Sequence, residues 1–357
     1  MNNLFEKVVS FENIYLAYKK AKKCKGYKKY VLKFNKNLEN NLLSIKRDLI
    51  SGKYKHGKYK KFIVNDSKKR EIKAAPFRDR IIHHAVCNVI EPVFDTGFIF
   101  DSYACRKHKG THRAVKRLKN FLKSSRRVFK EPKIYCLKCD ISKYFASINH
   151  EILLELIKAK ISDEKLIGII EEIINSSYDS LEYENLLSTR KRGIPIGNLT
   201  SQLFANIYLN ELDQFIKHQL SQEFKKQKIS PTRYYIRYMD DFLFLYNDKK
   251  ILHEIKVKLK SFIFEELRLT LHPKKASIFF INKGVEFLGY VIRYPIIVKL
   301  RKSTVRRFIK RIKKYRKVGV GSDEIARAFI SFEGFAKHGK SFWLMQKIWE
   351  SYGLVEN

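Results

Sequence analysis

A chain of 357 residues, 45% of them hydrophobic, is long enough to bury one large multi-lobed unit or two to three small cores. Its 74 lysines and arginines against 36 aspartates and glutamates leave a formal net charge of +38. That excess is larger than an AT-rich, lysine-inflating genome accounts for, and it points to a polyanion such as nucleic acid, whose condensed counterions are released on binding. Five irregularly spaced cysteines exclude a disulfide framework and suit a reducing cytoplasm, and no apolar run approaches the length of a transmembrane helix.

The first twenty residues carry charges throughout, so they do not read as a signal peptide. Apolar residues recur at helical spacing in FENIYLAYKKAKK and LENNLLSIKRDLI, which predicts helices up to about residue 50. The small repeat GKYKHGKYKK at 52–61 predicts short strands between glycine turns. Residues 69–92 read as a strand running into a buried helix. His83 and His84 lie in that helix without the carboxylate or second histidine at i+4 that a metal site would want. Residues 123–133 (KSSRRVFKEPK) are polar and basic and read as a connecting loop. IYCLKCDI then alternates as a strand, with Tyr135, Leu137, Cys139 and Ile141 on one face and Lys138 and Asp140 on the other. Cys136 and Cys139 form a lone C-x-x-C, short of the four ligands of structural zinc; a buried strand suits them better. An amphipathic helix is predicted over about 150–174. Asn198 is placed to cap the next helix, which buries Leu199, Leu203, Ile207, Leu212, Ile216 and Leu220. Residues 233–247 read as a hairpin, EFLGYVIRY as a strand pair, and the chain beyond about 300 as helical and strongly basic.

The sharpest chemical signal is Tyr238-Met239-Asp240-Asp241. In a straight strand the two aspartates would point to opposite faces, but a tight turn lets both carboxylates approach one site. Carboxylates are the ligands that hard cations such as Mg²⁺ prefer. A hairpin turn that merely favours aspartate would look the same. Asp140, a single acid ending an apolar strand, also suits a helix cap or a strand-end turn. Together, however, the acids make the set from separate elements that two-metal nucleotidyl transfer needs.

The segments KREIKAAPFRDRIIHHAVCNVIEPVF, FIFDSYACRKHKGTHRAV, LKCDISKYFASINH, RGIPIGNLTSQLFANIYLNELD, YMDD, LHPKKASI and GVEFLGY follow one another in the block order of a known family. The chain resembles a reverse transcriptase from Phe11 to about Trp349, and most closely those of diversity-generating retroelements, relatives of the group II intron type. The segment most telling of subtype is IGNLTSQ, from Ile196 to Gln202, where many reverse transcriptases begin with Gln-Gly and end with Ser-Pro.

That resemblance implies an α+β right-hand polymerase fold: N-terminal helices and fingers over 1–133, a palm with an antiparallel sheet over 134–292, and a helical thumb over 293–357. It implies catalysis by Asp140, Asp240, Asp241 and Lys275, with Lys274 a rival for the last role. Two Mg²⁺ ions, replaceable by Mn²⁺, would be held at Asp140, Ile141, Asp240 and Asp241. Arg70 would grip the incoming triphosphate and Phe145 would collide with a ribose 2′-hydroxyl, though a solvated charge and plain core packing fit those two residues as well. Ile196 and Gly197 would lie beside the nucleotide; ordinary packing at a helix start also suits Ile196. Arg78 and Arg80 would support the template or the fingers, unless they pair with Asp79 or another acid. Arg306 and Lys310, on the basic helix STVRRFIKRIKKYRK, would track nucleic acid, although a helix with Val305, Phe308, Ile309, Ile312 and Tyr315 on one face also suits a membrane surface.

The implied function is RNA-directed DNA synthesis giving error-prone cDNA from a retroelement template RNA. The implied partners are template RNA, a DNA or RNA primer, dNTPs and a small basic accessory protein, without a membrane and in the cytoplasm. The sequence ends soon after the thumb blocks, so the expectation is that RNase H, nuclease and splicing domains are missing. An antiphage-defence reverse transcriptase is the alternative within the enzyme class, and a catalytically idle RNA-binding scaffold the alternative outside it.

Overall fold

Four helices open the chain: α1 (Leu4–Val9), α2 (Phe11–Lys22), α3 (Lys29–Asn35) and α4 (Leu38–Ile50). Ser10 caps α2, its hydroxyl accepting from the Asn13 N–H. In this computed structural model of the protein, residues 3–65, 69–130, 133–176, 191–293 and 296–352 are described. A two-stranded antiparallel ribbon follows, β1 (Lys60–Asn65) and β2 (Lys69–Ala74). Only the end of the GKYKHGKYKK repeat is strand. Residues 52–59 are irregular because their polar groups go elsewhere: the Gly57 N–H donates to Asp79, and the His56 N–H to Glu172.

Next come α5 (Phe77–Asp95), α6 (Thr111–Phe129), β3 (Tyr135–Cys139), α7 (Tyr144–Ser147), α8 (His150–Lys158) and α9 (Glu164–Asn175). Two predictions need correction here. The stretch 123–129 is the last two turns of α6, not a loop. Leu122 and Ser125 are buried, the Ser124 hydroxyl bonds that of Tyr234, and Phe129 packs edge-on against Tyr234 and Tyr246. Residues 131–132 of the predicted loop lie outside the described residues. The single helix predicted over 150–174 is two, broken at 159–163. Asp163 makes the break useful: one oxygen accepts from the Leu166 N–H at the start of α9, the other from the Phe5 N–H.

The remaining elements are α10 (Leu199–Phe215), a π-helical turn over Ile216–Leu220, α11 (Ser221–Lys226), β4 (Tyr235–Tyr238), β5 (Asp241–Tyr246), α12 (Lys249–Glu265), β6 (Ser277–Phe280), β7 (Val285–Phe287), β8 (Tyr290–Arg293) and β9 (Ile297–Leu300). Then come three helices: α13 (Lys302–Lys317), α14 (Ser322–Ala336) and α15 (Phe342–Tyr352). The predicted strand pair at EFLGYVIRY is β7 and β8, with β9 added as a third strand; Tyr294 lies outside the described residues. Asn198 stands before α10 as predicted but does not cap it. Its side-chain amide donates instead to the Tyr59 hydroxyl at 2.9 Å.

The central sheet has the order β4-β5-β3-β6, every neighbouring pair antiparallel. It is buried on both faces, and the period of two sorts its side chains between two cores. Leu137, Cys139, Phe242, Phe244 and Tyr235 face α5, α8, α9, α10 and α12. Cys136, Leu243, Leu245 and Ile236 face α6, the β7-β8-β9 sheet and the C-terminal helices. Burial pushes the Cys136 thiol up to about 12, so both cysteines of the C-x-x-C are packing residues. Among the described residues no helix is long and apolar enough to cross a membrane.

The buried histidines of α5 make folding sensitive to acid. Both ring nitrogens of His83 are buried without hydrogen-bond partners among the described residues, and the ring stacks on His56. Burial, followed by the neighbouring His56, lowers His83 from 6.5 to about 3. Burial and the nearby lysines 20 and 25 lower His84 to about 4. The unfolded chain therefore binds more protons below pH 6.5. This stability is fully present above that pH and is lost as pH falls, by up to about 1.4 kcal/mol per pH unit for the fully buried His83, with a smaller, solvent-screened part from the partly exposed His84. Urea midpoints measured between neutral and mildly acidic pH should fall less steeply in His83→Phe than in the parent. Equal slopes would place the acid sensitivity elsewhere.

Candidate active site

Strand register decides where the acids meet. Cys139 on β3 pairs with Phe242 on β5, so one further step sets Asp140 opposite Asp241. Tyr238 on β4 pairs with Asp241, which leaves Met239 and Asp240 as a two-residue loop. Such loops favour a positive φ at their first position, and Met239 takes φ 58°. A residue with a side chain costs about 1–2 kcal/mol there, so the turn needs outside support.

That support is a buried ion pair. The Arg237 guanidinium and the Asp213 carboxylate are both fully buried. Arg237 Nε lies 2.9 Å from each Asp213 oxygen, and Nη1 donates to the Met239 carbonyl at 3.2 Å. The Tyr235 hydroxyl donates to Asp213 at 2.7 Å. The other edge of β4 is held as well: the Arg237 N–H donates to the Asp101 carbonyl, and Arg117 grips the Asp101 carboxylate through two nitrogens at 2.7 and 3.1 Å. None of Asp101, Arg117, Asp213 or Arg237 was picked out from the sequence. The available signal was an arginine inside the apolar run YYIRYMDD.

Asp140 is fixed through its backbone. Its carbonyl accepts from the His272 N–H at 2.8 Å, and the Ser142 N–H donates to the Thr270 carbonyl at 2.9 Å. Ile141 pairs with Leu271 between these two bonds, which leaves the Ile141 carbonyl outside that ladder. The Asp140 carboxylate meets the Lys275 ammonium. Lys274 makes only a backbone contact to His272, so of the two lysines it is Lys275 that reaches Asp140.

The three carboxylates feel one another. Burial, then the charge of Asp140, raises Asp240, while Lys275 and Arg70 act against the rise. Burial raises Asp241 to about 6, against the pull of Lys138, whose ammonium lies 3.3 Å away and also donates to the Glu286 carbonyl of β7. Lys138 was read from the sequence only as a face-mate of Asp140. Among the described residues no three acids, histidines or cysteines form a ready metal cage. The residues nevertheless fit a divalent cation: Asp241 Oδ1 is buried with no partner among the described residues, and the set is all oxygen and mutually repelling.

The loop from Ile194 to Asn198 passes between α7 and the ribbon. The Ile194 N–H donates to the Phe145 carbonyl at 2.8 Å, and the Lys73 N–H on β2 donates to the Ile196 carbonyl at 3.1 Å. Gly197, at φ 121°, lies so close to β2 that a Cβ would come within 3.0 Å of the Ile72 side chain. Glycine is therefore required for this approach. Phe145 is half-buried beside Tyr144, and Arg70 is exposed on β2. Of these, Arg70 is tied to the acids by the charge it sets against Asp240.

Other predicted residues lie elsewhere. Arg78 pairs with Asp48, not with Asp79, which accepts from the Tyr54 hydroxyl. Arg80 donates to the Ala75 carbonyl and stacks on Tyr30. Arg306 and Lys310 are exposed on α13, whose apolar side buries Phe308 and Ile312. A cavity of about 640 Å³ bordered by Glu6, Ser10, Asn13 and Val89 contains none of the predicted site residues.

A model of the reverse transcriptase (RNA-dependent DNA polymerase) family matches residues 55–292. The chain is 26% identical over 273 residues to protein YkfC of Escherichia coli K12, covering 70% of each. It is 27% identical over 296 residues to the group II intron-encoded protein LtrA of Lactococcus lactis subsp. cremoris, covering 68% of this chain and 47% of LtrA. Among solved structures it is similar to apo telomerase from Candida tropicalis, with a TM-score of 0.53 at 14% identity over 82% of this chain and 59% of that one. The chain thus spans less than half of LtrA and about three-fifths of the telomerase chain.

The Arg237–Asp213 pair can be tested by stability. Arg237→Met should leave Asp213 buried and unpaired, costing about 3–5 kcal/mol. Adding Asp213→Leu should restore much of that loss in urea unfolding. If the double variant is as unstable as the single one, the pair is not the source of the effect.

Proposed function

The chain belongs to the reverse transcriptase (RNA-dependent DNA polymerase) family and has its right-hand polymerase fold; from that premise we propose that it copies a retroelement template RNA into error-prone cDNA for targeted sequence diversification. The observation that carries the catalytic part is the strand register that brings Asp140 opposite Asp241 with Asp240 in the adjoining turn.

Asp140, Asp240, Asp241 and the Ile141 carbonyl would hold two divalent ions, Mg²⁺ or Mn²⁺, which when bound supply activation of the primer 3′-hydroxyl and charge neutralisation on the triphosphate. The chain's own residues do the rest. Arg70, close enough to counter the charge of Asp240, grips the triphosphate. Lys275, beside Asp140, gives a proton to the leaving pyrophosphate. Phe145 blocks the space that a ribose 2′-hydroxyl would need. Exposed Arg306 and Lys310 follow the phosphates of the primer–template. The residues 1–133, 134–292 and 293–357 act as fingers, palm and thumb. Template RNA, primer and dNTPs are the partners of the reaction, and a small basic accessory protein is a further one, carried by the retroelement resemblance. Asp240→Asn should abolish primer extension with Mg²⁺ while RNA binding survives, because the basic surface is untouched. Full extension by that variant would overturn the site.

The diversifying part rests on Ile196. Its backbone is held by β2, and its side chain offers the nascent pair only apolar contact, where a glutamine amide would add hydrogen bonds. Discrimination is a difference between two transition-state energies, and about 1.4 kcal/mol changes error frequency tenfold. Ile196→Gln should lower misincorporation, most visibly opposite template adenine, in sequenced cDNA pools copied from one RNA. Equal error spectra would remove Ile196 from the fidelity argument.

A further inference from the structure

The turn between α14 and α15 crosses the outer edge of the β7-β8-β9 sheet, where the Lys340 N–H donates to the Val298 carbonyl at 2.7 Å. A cavity of about 320 Å³ opens there, lined by Lys119 of α6, Val298 of β9, and Lys337, His338 and Lys340 of the turn. Among the described residues no carboxylate lines it. The His338 ring stacks on His112 at 3.6 Å, which fixes one wall. Three lysines gathered at one cavity repel one another, and an anion bound there would relieve that repulsion.

Two residues further along, Phe342 and Trp343 open α15 with 74% and 73% of their surface exposed, the highest exposure among the large apolar residues of the C-terminal helices. They meet each other edge to face at 5.3 Å, and the buried contacts of α15 are made by Met345 and Ile348 instead. Removing either aromatic leaves the core intact, so packing does not explain them. A cationic cavity followed two residues along the chain by two exposed aromatic rings is the pairing that binds an unpaired nucleic-acid strand: backbone at the cavity, bases on the rings.

The location separates this place from the acids. β7 is the strand that touches the catalytic side, through Lys138 and the Glu286 carbonyl. β9 is the opposite edge of the same three-stranded sheet. We infer that Lys119, Lys337, Lys340, Phe342 and Trp343 form a second nucleic-acid site that holds a single-stranded segment of RNA outside the polymerase cleft. The inference takes RNA as the natural polyanion from the proposed function, but it does not depend on the three aspartates.

The test uses the full chain with its cleft filled by an unlabelled RNA–DNA primer–template duplex. Binding of a short labelled single-stranded RNA is followed by fluorescence anisotropy over a range of salt. Trp343→Ala should weaken this binding about tenfold, the scale of one lost base–aromatic stack, while Trp343→Phe keeps most of it. Lys337→Gln with Lys340→Gln should weaken it and flatten its salt dependence. Extension of a short primer–template should stay at the parent level in all three. Unchanged RNA binding would overturn the inference. So would an equal loss of duplex extension, which would put these residues in the cleft. Loss of binding to phosphatidylserine vesicles with RNA binding intact would assign the patch to a membrane surface instead. A chain that binds the single strand normally but fails to extend any primer would count against the proposed polymerase reaction and leave this site standing.

Discussion

The Arg237–Asp213 pair is the contact on which the candidate site depends. Burying a guanidinium and a carboxylate together costs several kcal/mol of desolvation per ion, and their attraction returns it only when the remaining donors and acceptors are also satisfied. Here they are: Tyr235 serves the carboxylate, and Asn206 and the Met239 carbonyl serve the guanidinium. A pair of this kind adds little net stability over an apolar replacement, but it fixes geometry. It locks β4 to α10 and holds a left-handed Met239 in place. It therefore sets where Asp240 stands relative to β3.

The same helix connects the two halves of the site. Asp213 lies near the C-terminal end of α10, and the segment from Ile194 to Asn198 leads into its N-terminal end. Any shift of α10 along its axis would move the turn and the Ile196 loop together. Both ends are anchored by polar contacts rather than by packing alone: the ion pair at one, the Asn198–Tyr59 hydrogen bond at the other. Around the acids, Lys138 on Asp241 and Lys275 on Asp140 offset the repulsion among the carboxylates, while burial pushes Asp240 and Asp241 toward their protonated forms. These lysines compete with any cation that binds there, so loading the site means displacing them, not filling a rigid cage.

Much of this was legible in the sequence wherever one period governs burial. IYCLKCDI alternates because it is one pleated segment, YYIRYMDDFLFLY reads as a hairpin because its aspartates interrupt two apolar strands, and the family's block order placed the acids at these strand ends and in the turn. Legibility failed where long-range contacts override local character. The basic run KSSRRVF is helix because Phe129 and Ser124 find partners on Tyr234, more than a hundred residues away. The helix predicted across 150–174 breaks because Asp163 is needed by both Leu166 and Phe5. Asn198 has the residue type of a cap, and nothing near it in sequence reveals that Tyr59 claims its side chain. Arg237 was visible as an oddity, but its partner carries no spacing rule to find it by.

The loop at Ile196 lets the side chain proposed to set accuracy vary without unsettling the fold. What holds this loop against the ribbon is main chain: the Ile196 carbonyl bonded to the Lys73 N–H, and a glycine at 197 that lets the two backbones approach. The residue that cannot change freely is Gly197, where any side chain would strain a left-handed backbone and press on Ile72. The Ile196 side chain takes no part in that anchoring. Exchanging its chemistry leaves both backbone contacts in place, so a change at 196 costs little stability. In the proposed diversifying role, that separation allows error-prone copying to arise from one side chain while the machinery that aligns the three aspartates stays intact.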